Sequence, residues 1–166
     1  MNCKLSDVCI LVSDTVPFSE ASYENYVSTE SMMPDAGGVT TPTTIPSSGS
    51  VRSYRVGDIL ISNIRPYFKK IWKADRDGTC SNDVLVFRAE ACDADYLHCV
   101  LLDDIFFKHV MNTSKGTKMP RGDKKAIMEY SLDLPDDEVQ RSIGHIKTTF
   151  DSLISTNCQI NDYLAA

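Results

Sequence analysis

Residues 135–164 read PDDEVQRSIGHIKTTFDSLISTNCQINDYL. Pro135 followed by Asp136, Asp137 and Glu138 marks a helix start, since proline suits a first turn and carboxylates suit the positive end of the helix dipole. Val139, Ile143, Ile146, Phe150, Leu153, Asn157, Ile160 and Leu164 then recur in unbroken steps of four and three. That is a heptad seam, the pattern of a helix lying along another helix. A helix from 136 to 166 spans about 46 Å, longer than a small domain is wide. Burying the apolar side chains of the seam is worth on the order of 10–20 kcal/mol gross. The seam therefore predicts a partner. Asn157, at the same heptad position as Ile143, is expected to face it and help fix register. Packing of the seam on the chain's own globular part is the competing reading.

Upstream, the signals are mixed. Gly57-Asp58 is a turn before the apolar run Ile59-Leu60-Ile61, and Asp77-Gly78 precedes Val84-Leu85-Val86-Phe87. With the shorter Ile71-Trp72 these are strand candidates, rich in β-branched and aromatic residues. After Asp93, a plausible cap, Tyr96, Leu97, Val100, Leu101, Ile105, Phe106 and Val110 recur at helical spacing, predicting one amphipathic helix that ends near residues 112–116. Residues 34–53, PDAGGVTTPTTIPSSGSVRS, read as a long loop. The fold class is α+β: a globular unit over residues 1–134, then a coiled-coil-like helix over 135–166.

The 166 residues weigh 18.5 kDa, with 42% hydrophobic and 24% charged residues. This composition excludes wholesale disorder, a collagen and a membrane bundle. No stretch approaches the ~20 apolar residues of a membrane helix. The short apolar run Val8–Val12 lacks the features of a secretory signal, so a cytoplasmic location is expected. Cysteines stand at 3, 9, 80, 92, 99 and 158 without a CxxC pair. Cys92, His98 and Cys99 match no common zinc spacing and are expected to be reduced thiols beside a helix-surface histidine.

The formal net charge is −6, but it is unevenly spread. Lys4 is the sole base up to residue 51. Between 52 and 76 stand Arg52, Arg55, Arg65, Lys69, Lys70, Lys73 and Arg76, against Asp58 and Asp75. Between 108 and 125 stand Lys108, Lys115, Lys118, Arg121, Lys124 and Lys125, against Asp123. If the fold joins these stretches, an acidic chain carries one basic face. The run Ser62-Asn63-Ile64-Arg65-Pro66-Tyr67-Phe68-Lys69-Lys70 mixes cations, amides and aromatics. Arginine and asparagine suit guanine and adenine edges, and lysines suit phosphates. The stretch Ser114–Lys125 offers further cations on a glycine-containing loop. A solvated basic surface with no ligand is the plain alternative.

Catalytic signatures are sparse. Residues 116–124, GTKMPRGDK, lack the spacing of a phosphate loop. No HExxH, GxSxG or GxGxxG occurs. The Arg121-Gly122-Asp123 tripeptide is a chance match to an adhesion motif.

The strings GDILISNIRPYFKKIWKA (57–74), CSNDVLVFRA (80–89), SKGTKMPRGDKKAI (114–127) and LDLPDDEVQRSIGHI (132–146) resemble a target-recognition domain of a type I restriction–modification specificity subunit. So does YVSTESMMPDAGG (26–38), and Leu134, Pro135, Gln140 and Ile143 fit the family's "LPxxxxQxxI" tract at the start of the spacer helix. The resemblance covers nearly the whole chain. It implies a non-catalytic subunit that reads double-stranded DNA, with methylation and cleavage left to methyltransferase and restriction subunits that use S-adenosylmethionine, ATP and magnesium. It implies no cofactor in this chain. The family usually has two recognition domains and two spacers, whereas this sequence has one of each. It is thus a half-length form that homodimerises through its helix, or a fragment.

The expected DNA contacts are Asn63, Arg65, Tyr67, Lys69, Lys70, Lys115, Lys118, Arg121, Lys124 and Lys125. The expected dimerisation residues are those of the seam. Two rivals are a protein-interaction module that occupies a methyltransferase without reading DNA, and a hidden magnesium-dependent nuclease.

Overall fold

The computed structural model describes residues 1–116 and 118–165. In chain order the strands are β1 (Asn2–Lys4), β2 (Cys9–Leu11), β3 (Thr15–Pro17), β4 (Tyr26–Val27), β5 (Ser50–Tyr54), β6 (Ile59–Ser62), β7 (Ile71–Lys73), β8 (Gly78–Cys80), β9 (Val84–Ala89) and β10 (Ser131–Asp133). The helices are α1 (Leu5–Val8), α2 (Ala94–Leu102), α3 (Asp104–Asn112), α4 (Lys124–Met128) and α5 (Asp137–Ala165). The fold is α+β with a long C-terminal helix.

The two longer apolar runs form the middle strands, and Ile71-Trp72 an edge strand, of an antiparallel sheet ordered β2-β9-β6-β7. Both of its faces are covered, which is why these runs do not alternate with polar residues. On one face Ile59, Ile61, Leu85 and Phe87 meet Leu97, Leu101, Phe106 and Val110 of α2 and α3. On the other, Leu60, Val84 and Val86 meet Tyr54, Cys80, Val27 and Met32. That second layer is a sheet ordered β3-β5-β8-β4, with β4 parallel to β8. Asp58, at the start of β6, is buried and takes a two-pronged bond from Arg88 (Nε 2.8 Å, Nη2 2.7 Å) plus the Arg55 N–H (2.9 Å).

The single helix expected after Asp93 is instead two. Asp103 is extended (φ −63°, ψ 141°) and its carboxylate accepts the Ile105 N–H at 2.7 Å. An aspartate able to cap a new helix outcompetes continuation of the old one. His98 is a second correction: it is buried, not on a helix surface. Burial, reinforced by the Lys147 ammonium, pushes its imidazole down to about 4.

β1 and β10 pair with each other, joining the two ends of the globular part. Beyond β10, Asp136 accepts the Val139 N–H (2.9 Å) and caps α5; Pro135 stands just ahead of the cap rather than inside the first turn. The helix leans on α2 through a polar, small-residue stripe. Gln140 is 2% exposed; its Oε1 accepts the Asp93 N–H (2.8 Å) and its Nε2 donates to Pro135 O (2.8 Å). One turn on, Gly144 allows contact, since a Cβ there would stand 2.6 Å from Asp95 Cβ.

The heptad seam lies elsewhere on the helix. Val139, Ile143, Ile146, Phe150, Leu153, Ile160 and Leu164 are all exposed, as is Asn157. Every residue from Thr149 to Leu164 is exposed, roughly 24 Å of helix, although Asp151, Ile154 and Ser155 still line a groove with Trp72 and Asp35 of the globular part. The seam therefore does not pack on its own globular unit.

Candidate nucleic-acid interface

The two basic stretches meet through their backbones. As β6 ends, Asn63 N–H donates to Asp83 O (2.8 Å), Ile64 forms an antiparallel bridge with Arg121, and Arg65 N–H donates to Pro120 O (3.0 Å). Lys115 and Arg121 exchange both backbone hydrogen bonds at 2.9 Å, folding the second stretch into a hairpin-like turn. Residues far apart in sequence thus become neighbours on one surface.

Arg65 opens a short 3-10 turn, Pro66–Phe68, and Lys69 closes it. Both flanking residues are left-handed (φ 51° and 47°), and the buried Pro66 anchors the turn. Arg65 is exposed and its guanidinium has no ion pair among the described residues; Tyr67 is 48% exposed. Lys69 pairs with Asp104, which raises the lysine and lowers the carboxyl through a shared hydrogen bond. Lys70 Nζ donates to Thr29 O at 2.7 Å. Arg121 lies 3.2 Å from Asp83, and Lys115 lies 2.6 Å from Asp123. The Asp123 carboxyl is pulled down by that lysine and by the backbone N–H groups it caps.

The remaining expected contacts distribute unevenly. Lys118 is exposed beside Met119 on the turn. Thr117, within the same motif, lies outside the described residues. Lys124 and Lys125 are exposed but sit in the first turn of α4, capped by Asp123, rather than on the loop where the sequence reading put them. Asn63 is not at the surface: it is 9% exposed with Oδ1 unpartnered, and the chain passes over it at Gly122, where a Cβ would stand 2.9 Å from that oxygen. Asn63 lies beneath the interface.

A cleft of about 430 Å³ runs beside the joined stretches, lined by Glu30, Ile64, Arg65, Lys70, Asp83 and Met119. The residue-by-residue reading missed its acidic members. Asp83 and Asp104 neutralise cations on this face in the free chain. Such exposed pairs are weak, so a polyanion can displace the carboxylates. Phe68 was also passed over as a contact, although it adjoins Tyr67 and is 38% exposed. The arrangement suits binding to a phosphate backbone. Among the described residues no group of three or more His, Cys, Asp or Glu could hold a metal ion.

The sequence profile described as "Type I restriction modification DNA specificity domain" matches residues 1–166. The chain belongs to this family. The type I DNA specificity domain described here is 26% identical over 113 residues to the type I restriction enzyme EcoDI specificity subunit of Escherichia coli, covering 68% of this chain and 25% of that protein. Its fold matches the HsdS subunit from Thermoanaerobacter tengcongensis (TM-score 0.70, 22% identity, 98% of this chain and 44% of that one). It also matches a chain from a structure of complex assembly and conformational transition in the type I R-M system (TM-score 0.72, 20% identity, 98% and 45%). The S subunit from M. genitalium matches at a TM-score of 0.63 with 13% identity, over 98% of this chain and 44% of that one. The chain therefore spans a quarter of the curated relative and a little under half of each solved one. No helix among its described residues is long and apolar enough to cross a membrane.

Proposed function

We propose that the chain is a sequence-specific double-stranded DNA reader of a type I restriction–modification system. Residues 1–134 form its recognition domain and residues 135–166 its spacer. The observation that carries this reading is the backbone union of the two basic stretches, Arg65 to Pro120 and Ile64 to Arg121, in a chain of net charge −6. An acidic protein that gathers its cations on one face has a polyanion as the natural occupant of that face. Arg65 is the leading base-reading candidate because it is exposed and has no ion pair among the described residues. Lys69, Lys70, Lys115, Lys118 and Arg121 serve phosphates, while Tyr67 lies among them. Lys124 and Lys125 join from α4, and Asn63 supports the turn from below.

The exposed seam of α5 takes a second copy, antiparallel, so that a twofold axis relates the two recognition domains. The pair then reads inverted copies of one short sequence, since target symmetry mirrors protein symmetry. The seam also supports docking of methyltransferase subunits, through which restriction subunits are reached. Methylation and cleavage, with S-adenosylmethionine, ATP and magnesium, belong to those subunits, and this chain is non-catalytic and works in the cytoplasm.

The test is selection of bound duplexes from a randomised pool, with and without the methyltransferase subunit. An inverted two-part motif is expected. In the enriched site, Arg65→Ala should relax base preference at one position by about 1–3 kcal/mol. Absence of enrichment under both conditions, with subunit binding retained, would instead make the chain an interaction module that does not read DNA.

A further inference from the structure

Four non-glycine residues among those described have left-handed backbone: Asp35, Ala36, Arg65 and Lys69. Side-chain-bearing residues adopt this conformation reluctantly. Here the four lie in two turns bonded to each other. Asp35 N–H donates to Phe68 O (2.9 Å) and Ala36 N–H to Lys69 O (3.1 Å). Ser62 N–H donates to Lys70 O at 3.0 Å, and Arg65 N–H donates to Pro120 O at 3.0 Å. Three separate segments thus hold the backbone of residues 65–70 in a conformation it would not choose alone.

What this held turn presents is an aromatic pair. Tyr67 and Phe68 are 48% and 38% exposed, with ring centroids 4.6 Å apart and planes tilted by 51°. Phe68 has no polar atom on its side chain, so its exposed ring gains only when something covers it. Imposed backbone strain of this kind gathers where geometry must be fixed in advance of binding. The same six residues carry Arg65, Lys69 and Lys70, with Lys70 Nζ 5.9 Å from the Phe68 ring centroid. A partner that buries flat apolar rings between flanking anions matches this surface, and a base step between two phosphates is such a partner. Apolar side chains that enter a step partly unstack it and kink the duplex.

We propose that Tyr67 and Phe68 form a wedge that enters one base step within each half of the DNA target. The proposal rests on the DNA-reading function above and assigns these residues a mode of contact that phosphate or base-edge binding does not require. The pre-set turn delivers the rings without ordering a loop at the moment of binding.

The experiment uses the full chain, with and without the methyltransferase subunit, on the duplex enriched by pool selection. 2-Aminopurine, which brightens when unstacked, is placed at each position in turn. Binding should raise the fluorescence several-fold at one step per half-site. Tyr67→Ala with Phe68→Ala should abolish that rise and weaken binding about fivefold or more. Phe68→Leu, still an apolar wedge, should keep much of the rise. A flat fluorescence profile on a duplex that is bound and sequence-selected overturns the wedge and leaves the DNA reading intact. An unchanged rise in the double variant also overturns it. Loss of methyltransferase-subunit binding with unchanged DNA affinity and fluorescence would reassign the pair to a protein contact. A pool without any enriched motif removes the DNA reading, and the wedge with it. The wild-type scan and Phe68→Leu do not depend on the double variant folding.

Discussion

Replacing Gln140 with alanine tests how the helix is fastened to the globular part. Gln140 is 2% exposed and joins two segments: its Oε1 accepts the Asp93 N–H, and its Nε2 donates to Pro135 O. Truncation leaves both backbone groups without these partners. A buried group left unsatisfied costs about 1–3 kcal/mol. An adjoining cleft of about 390 Å³, lined by Glu90, Asp93, Asp137 and Arg141, lets water reach the vacated space and trims that cost. The expected loss is about 2–4 kcal/mol in all. Gln140→Leu keeps the volume and removes both hydrogen bonds, so it should cost about as much. Urea unfolding reads the change through far-ultraviolet circular dichroism and the single tryptophan. Trp72 lines the groove beside Lys147 and Thr148 of α5 and so reports on helix docking. A shift below about 0.5 kcal/mol in both variants would refute the assignment, because that is the size of an ordinary surface substitution.

Three further outcomes follow from named contacts. Arg88→Met strands the buried Asp58 carboxylate and should cost about 3–5 kcal/mol in urea unfolding; a loss under 1 kcal/mol would mean that Asp58 is hydrated. His98, held at about 4 in the fold against an ordinary 6.5, sits among Lys73, Asp95, Lys147 and Asp151. Its folded pKa is depressed, so the unfolded chain takes up the proton first. The neutral histidine's contribution is full above pH 6.5 and shrinks as pH falls towards 4, by roughly 2–3 kcal/mol at pH 4.5. His98→Gln should flatten that part of the stability–pH curve, and an identical curve in the variant would refute the burial argument. Phe150→Asp with Leu153→Asp should leave the melting of the globular part unchanged and reduce the proposed antiparallel pair to a monomer in sedimentation; unaltered mass would exclude the seam as the pairing surface.

The sequence exposed the parts of this fold governed by strong local patterns. Ile59–Ile61 and Val84–Phe87 are strands because β-branched and aromatic side chains on both faces find a core, and α5 announces itself through its caps and heptads. What stayed hidden depends on competition or on distance. Asp103 breaks the expected helix because a side-chain cap competes locally with another turn, and periodicity alone does not register that. His98 is buried because α5 folds back over α2, a contact 49 residues away at Lys147 that no local window contains. The interface was legible as composition, two basic runs, and the structure supplied the register that joins them. Asn63 reads as a surface amide until Gly122 is seen crossing above it. Asp83 and Asp104 belong to the same face, but only tertiary proximity identifies them as partners of Arg121 and Lys69.

The pairing of β1 with β10 has an architectural consequence. Cys3 opposes Leu132, and the Met1 amino group reaches Leu134 O at 2.8 Å, so the polypeptide enters and leaves the globular part at one point. A body hung from its support by two adjacent threads behaves as a cassette. Grafting a different body between those threads would have to renew the seat on α2, where Gln140, Gly144 and Lys147 of α5 meet Asp93, Asp95 and His98, and would leave the exposed length of α5 beyond it unchanged. A segment joined ahead of Asn2 would likewise emerge beside the start of α5. The unit is thus geometrically suited to exchange, to tandem repetition and to circular rearrangement, with its basic face free to change provided the seat for α5 is kept.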